Sequence, residues 1–338
     1  MIPRIGLLLG DPNGIGPELV ATLLADGIDQ QLYQLIVIGD RRVYQDFGEK
    51  TVGSNTELPV IQNIEKIELD GRPVLLDVPN VNLTELKPGQ VSAHAGKATL
   101  ETLGLAVDLA MGGKLDGLCF APLNKESLSL GGNIHGDDMN LFADLLGWTG
   151  SCGEVNVLDN LWTSRVTSHV PLAKVTTSIT KKTVISSIEL MHATLVGTGY
   201  THPQIAVAAI NPHAGEGGLF GFEEIEVIRP AIEEVQSQGI NVDGPWPADT
   251  VFVRALSKEY DAVVTMYHDQ GQIAMKLLGF DRGVTILAGL PIPITTPAHG
   301  TAFDIAGKGI AKVEALKKAL KIVRRMVDKY SINGPLTN

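Results

Sequence analysis

The chain has 338 residues, 44% hydrophobic and 19% charged, the composition of a globular protein with a large core. That length exceeds one ordinary domain and points to two lobes or one large α/β unit. A formal net charge of -11 argues against nucleic acid and anionic membranes as partners, and two cysteines, Cys119 and Cys152, point to a reducing compartment without a disulfide framework.

Runs of β-branched and other apolar residues alternate with helical periodicity almost from end to end. Strands are predicted at residues 5–9, 35–38, 117–120, 154–158, 165–168, 204–210, 262–266 and 283–287. Several are continuous apolar runs, as strands covered on both faces are, so a mostly parallel sheet between helix layers is expected. Helical spacing is clear at 95–111, 183–195, 223–238 and 313–330, with a shorter helix at 19–24. Residues 48–57 are the most polar and least patterned and read as surface loop. The run 5–9 is cut by Gly10-Asp11-Pro12 and reads as a first strand, not a signal peptide. No stretch approaches membrane-span length, so the expected location is the cytoplasm.

Gly10-Asp11-Pro12-Asn13-Gly14-Ile15-Gly16-Pro17-Glu18 joins the first strand to the first helix. Glycines there let the backbone turn and approach an anion at a helix N-terminus, but the spacing is not the dinucleotide fingerprint and there is no P-loop lysine. A plain turn and a ligand site around Gly14 are both open on this motif alone.

Three histidines stand in distinctive contexts: Ser168-His169-Val170-Pro171, Asn211-Pro212-His213-Ala214-Gly215 and Tyr267-His268-Asp269-Gln270-Gly271. Each follows an apolar run, where a strand end would place it among the chemistry of an open α/β sheet. Three neutral imidazoles on one divalent cation leave a position open for substrate, which is the pattern of a catalytic site. Such ligands suit Zn, Co or Mn and do not exclude Mg. The competing reading is three unrelated hydrogen-bonded histidines, and the Gly, Pro and Asp around all three weigh against it.

Asp249, in Pro247-Ala248-Asp249-Thr250, orients a ligand histidine or contacts substrate, or else caps a helix. Lys276 interrupts the apolar stretch Ile273-Ala274-Met275-Lys276-Leu277-Leu278. Its ammonium either snorkels to solvent or meets a substrate carboxylate or relays a proton. The last glycine-rich stretch, His299-Gly300-Thr301-Ala302-Phe303-Asp304-Ile305-Ala306-Gly307, either wraps a polar cofactor or forms a loop before the final helix.

With these residues assembled, the chain resembles the 4-hydroxythreonine-4-phosphate dehydrogenase (PdxA) family. The resemblance rests on residues 10–18, 121–126, 211–217, 247–250, 267–271 and 299–307, six motifs in family order. It implies a two-lobed α/β/α fold similar to the isocitrate and isopropylmalate dehydrogenases, with cofactor and substrate in the cleft and a homodimer that completes each metal site. His169, His213 and His268 match the family's metal ligands, and Lys276 matches a substrate-contacting lysine. His299, Gly300, Thr301, Ala302 and Asp304 fall in the loop lining the nicotinamide, with Gly14 also on the cofactor side. The expected lobes are 1–125 with 285–338, and 126–284 with the metal ligands and the dimer interface.

Departures from the family pattern bear on the substrate. Where the family carries Gly-His-Thr-Glu, before a helix here expected to begin near Leu141, this chain has Gly136-Asp137-Asp138-Met139. The family also places Asn at Thr285 and Arg at Ile294. Losing those donors and adding two carboxylates disfavours a phosphate in a pocket lined by Asp137, Asp138, Thr285 and Ile294. The expected activity is therefore a metal- and NAD- or NADP-dependent dehydrogenase of an unphosphorylated β-hydroxy acid or cis-dihydrodiol carboxylate, with or without loss of carbon dioxide. The alternatives are a 4-hydroxythreonine-4-phosphate or four-carbon sugar-acid-phosphate dehydrogenase, and an acyltransferase on a related fold.

Overall fold

The computed structural model describes residues 2–27, 33–52, 57–67 and 70–333. Its elements run β1 (Arg4–Leu8), α1 (Gly16–Ala25), β2 (Gln34–Gly39), α2 (Arg41–Val52), β3 (Val60–Ile61), β4 (Val74–Asp77), α3 (Ala93–Met111) and β5 (Gly117–Phe120). There follow α4 (Lys125–Leu130), α5 (Asp138–Leu145), β6 (Gly153–Leu158), β7 (Leu161–Arg165), α6 (Leu172–Ser178), α7 (Lys181–Gly197) and β8 (Ile205–Ala208). The rest are α8 (Arg229–Ser237), β9 (Val242–Trp246), α9 (Ala248–Leu256), β10 (Ala262–Thr265), α10 (His268–Gly279), β11 (Val284–Ala288), β12 (Ile294–Pro297) and α11 (Glu314–Asn333).

The chain divides into two compact units, Met1–Thr149 with Leu290–Pro335, and Gly150–Gly289. In the first, strands β3-β4-β2-β1-β5-β12 pair in parallel throughout. Their apolar runs are buried on both faces, as the continuous pattern requires. Cys119 lies on β5 as a small buried hydrophobe, and burial pushes its thiol up to about 12. In the second unit the order is β11-β6-β7-β10-β8-β9. There β6 runs antiparallel to both β11 and β7, and β7, β10, β8 and β9 are parallel.

The division falls later than the expected 125/126 boundary, and α4 and α5 belong to the first unit. The cause is close packing. Gly96 and Gly131 let the backbones of α3 and α4 meet where a Cβ would collide, and Phe142 of α5 stacks on Phe120 of β5 at 5.1 Å. At the other boundary β11 stays with the second unit because it pairs with β6.

Three further expectations are corrected. The strand expected at 165–168 is β7, which ends at Arg165 because Asp159, in a left-handed conformation (φ 53°), helps turn a tight hairpin from β6. The helix expected at 223–238 opens as one wide π turn, Glu224–Ile228, ahead of α8, since Pro230 has no N–H for an α-helical bond. Of the loop expected at 48–57, residues 48–52 complete α2, and 53–56 lie outside the described residues. No described helix is long and apolar enough to cross a membrane.

Candidate active site

In the second unit the three histidines stand beyond the C-terminal ends of neighbouring parallel strands: His169 after β7, His268 after β10 and His213 after β8. Loops at that edge of an α/β sheet converge, which is why ligands bind there. The rings of His169 and His268 are 5.8 Å apart. Two imidazoles bonded to one ion at about 2.1 Å have ring centres roughly 5 to 6 Å apart, so this pair fits a shared cation. His268 Nδ1 lies 2.7 Å from Asp269 Oδ1, which makes Nε2 the nitrogen that could ligate a cation.

His213 is presented differently. Residues 213–217 take successive left-handed conformations, with φ of 52°, 54°, 80°, 44° and 66°. Three of the five, His213, Ala214 and Glu216, are not glycine, so the turn is strained and needs an anchor. Glu224 supplies it: its buried carboxylate accepts the N–H groups of Ile210 (2.9 Å) and Asn211 (2.8 Å) and the Asn211 side-chain amide (2.9 Å). The expected cluster of three is not assembled by one chain. Among the described residues no three His, Cys, Asp or Glu groups meet in a metal-holding arrangement.

Helix α10 starts at His268 and carries Lys276 two turns later, with Gln272 between them. Asp249 is exposed in the first turn of α9, where Pro247 occupies the cap position without a side-chain bond, so the capping alternative is set aside. Thr285, on β11, faces Asn156 across the sheet and accepts its amide hydrogen at 2.9 Å.

In the first unit the two glycine-rich stretches form one structure. Gly14 is buried, and a Cβ there would lie 3.0 Å from Thr301, while Ile15 N–H donates to the Thr301 carbonyl at 3.1 Å. Gly14 therefore seats the 299–311 loop. Glu18, fully buried on α1, accepts the N–H groups of Gly307 (3.1 Å) and Ala311 (3.0 Å). Asp304 is exposed and His299 half-buried, and Gly300 borders open space, so a ligand can approach this backbone closely. In the turn before α1, burial pushes the Asp11 carboxyl up to about 6 although it accepts the Asn13 N–H at 2.8 Å.

The residues expected to disfavour phosphate have other work. Asp137 caps α5, accepting the N–H of Asn140 at 2.8 Å and its side-chain amide at 2.9 Å. Asp138 pairs with Lys125. Ile294 is fully buried on β12 beside Leu118 of β5, so it belongs to the core and lines no open pocket. Sequence reasoning missed Glu18, Glu224, Asn156, Arg165 and Gln272. Only Gln272 carried a local signal, its four-residue spacing from both His268 and Lys276.

Imidazoles gathered at the ends of parallel strands in one unit, with a clamped glycine-rich loop in the other, are the layout of a two-lobed α/β enzyme with its polar groups at strand ends. Comparison with known proteins is consistent with that layout. The family model described as pyridoxal phosphate biosynthetic protein PdxA matches residues 31–323. A Pseudomonas aeruginosa protein provisionally named 4-hydroxythreonine-4-phosphate dehydrogenase 2 is 46% identical, over 96% of this chain and 97% of its own. D-threonate 4-phosphate dehydrogenase of Pectobacterium atrosepticum is 39% identical over 95% and 98%. The structure of 4-hydroxythreonine-4-phosphate dehydrogenase from Klebsiella pneumoniae superposes with a TM-score of 0.83 at 36% identity, covering 97% of this chain and 98% of that one. The chain belongs to the PdxA family and is a dehydrogenase acting on a CH–OH group. The acyltransferase alternative falls with that membership.

Proposed function

We propose that the protein oxidises a phosphorylated four-carbon hydroxy acid of the D-threonate 4-phosphate or 4-hydroxythreonine 4-phosphate type, with NAD or NADP as acceptor and a divalent cation, Zn, Co, Mn or Mg. The observation that carries the reading is the pairing of His169 with His268 at the head of the helix that bears Lys276. Relatives named for phosphorylated substrates support it over the expected unphosphorylated one. Geometry removes part of the objection: Asp138 is paired to Lys125, and Asp137 is turned to the head of α5, where the helix dipole offsets a negative charge.

His169, His213 and His268 would hold the cation, and His299, Gly300, Thr301, Ala302 and Asp304 would line the nicotinamide. When bound, the cation supplies polarisation of the hydroxyl and of a carbonyl formed from it, and the nicotinamide supplies the hydride acceptor. Lys276 would hold the substrate's carboxylate or take the hydroxyl proton, with Asp249 in support. Glu224 and Glu18 keep the two loops in place without touching substrate. The same reading includes a homodimer whose second chain completes the cation site. Its support is the two-histidine pairing and the apolar surface of α9 and α10, where Val253, Ile273 and Leu277 are 68%, 59% and 84% exposed.

The test is nicotinamide reduction with D-threonate 4-phosphate, 4-hydroxythreonine 4-phosphate, their unphosphorylated counterparts and a cis-dihydrodiol carboxylate, with Mn²⁺ and after chelation. Turnover of the phosphorylated acids is expected, lost on chelation and lost in a folded His213→Ala variant. Turnover confined to unphosphorylated members overturns the substrate class, and a fully active His213→Ala overturns the cation site.

A further inference from the structure

In the second unit a polar network lies where a sheet meets a covering helix. Sheet register puts Thr285 of β11 opposite Asn156 of β6, and Asn156 opposite Thr163 of β7. Two residues along the same face, Glu154 of β6 pairs with Arg165 of β7, whose side chain is only 6% exposed. The Arg165 guanidinium also donates through Nη1 to Asn156 Oδ1 at 2.9 Å and through Nε to Ser168 Oγ at 3.0 Å. From α10, Gln272 Nε2 donates to the same Asn156 Oδ1 at 2.7 Å.

These bonds settle which way each group points. With two N–H donors on Oδ1, the Asn156 amide has one orientation, and its Nδ2 must face Thr285. Thr285 Oγ1 therefore accepts, and its own hydrogen is left over. Among the described residues no protein acceptor takes it. Gln272 spends one amide hydrogen on Asn156 and keeps the second, along with its carbonyl oxygen. Both side chains are partly exposed, and Gln272 sits one turn from His268 and one from Lys276. A buried ion pair and amide are poor sources of stability, since apolar residues of similar volume serve as well. Their physical use here is to fix direction.

We propose that Gln272 is a specificity-determining residue that donates a hydrogen bond to an oxygen-rich group of the substrate beside Thr285, whose place in the substrate pocket the family resemblance already implies, and that Asn156 and Arg165 are positioning residues that aim both donors. The inference rests on the reading that substrate lies beside His268 and Lys276. A carboxylate, a hydroxyl cluster or a phosphate ester supplies the acceptors such donors need, and an apolar group leaves both donors stranded. Asn156→Asp makes a specific prediction. The new carboxylate still accepts from Arg165 and Gln272, but it takes the Thr285 hydrogen as well and turns that donor away from substrate.

The experiment is titration calorimetry of wild type, Gln272→Leu, Thr285→Val and Asn156→Asp with Mn²⁺ alone and then with D-threonate 4-phosphate, alongside thermal melts. Each variant should bind the acid about tenfold more weakly, with metal affinity held and melting unchanged within a few degrees. Thr285→Val and Asn156→Asp should be non-additive when combined, because both remove the same donor. Unchanged acid affinity in all three variants overturns this inference alone. A wild type that binds Mn²⁺ but neither this acid nor the other phosphorylated and unphosphorylated acids named above overturns the functional reading and this one with it.

Discussion

Both glycine-rich loops hang from a buried glutamate, but residues 213–217 wind left-handed through five successive positions, whereas the 299–311 loop has positive φ only at Ala302, Gly307 and Gly309. Glu224 accepts three hydrogens to hold the first, and Glu18 accepts two to hold the second. Under the proposed function His213 is a metal ligand that must be aimed within a fraction of an ångström, and the left-handed turn holds it at a cost of about 1 to 2 kcal/mol for each residue other than glycine. A loop that wraps a large cofactor spreads its contacts over many atoms and needs less strain. The two loops teach that the same kind of clamp can hold either a strained turn or a relaxed one, and the proposed function gives the strain a use, the aiming of His213.

Replacing each clamp by leucine gives the largest effect and tests the comparison directly. Each stranded donor costs about 1 to 3 kcal/mol, so Glu224→Leu should destabilise more than Glu18→Leu. Glu224→Leu should also weaken divalent-cation binding about 10- to 100-fold while sparing nucleotide affinity, and Glu18→Leu should do the reverse. Calorimetric titrations of both variants with Mn²⁺ and with NADH decide it. Equal losses of both ligands in both variants would show that the clamps hold the fold rather than the loops.

The next effect belongs to the first unit alone. Burial raises the Asp11 carboxyl from 3.8 to about 6, so its contribution to stability is fully present below about pH 4 and is lost as pH rises through about 6. Asp11→Asn should therefore match wild type near pH 4 and exceed it by up to about 3 kcal/mol at pH 7, as read from denaturant melts across that range. A flat difference between the two proteins would show that Asp11 ionises freely in the fold.

The smallest effect separates the strained residues. Ala214→Gly and Ala302→Gly each relieve a positive φ but add freedom to the unfolded chain, with a net change of about 1 kcal/mol or less in melting experiments. Ala214→Gly should loosen cation binding and Ala302→Gly should not.

The placement of the candidate site residues was legible along the chain because strand ends and glycine turns are local signals. His169, His213 and His268 were each marked by an apolar run before them, and all three stand beyond the ends of neighbouring strands. The mistakes share a cause. Asp137 and Asp138 read as two free carboxylates until α5 needed a cap and Lys125 came alongside. Ile294 read as a pocket residue until β12 paired with β5 and buried it. Asn156 and Thr285 meet across 129 residues, and Glu18 and Ala311 across 293, distances at which no periodicity carries information.

Periodicity and turn chemistry were enough to specify the α/β class, most of the strands and the strand-end positions of the three candidate histidines, because burial of apolar runs and the freedom of glycine act over a few residues. The direction of each polar group came only from assembly. Which histidines meet, which carboxylate is neutralised and which hydroxyl keeps its hydrogen depend on cross-strand register and helix packing, and a buried donor takes its partner from wherever the fold brings an acceptor within reach.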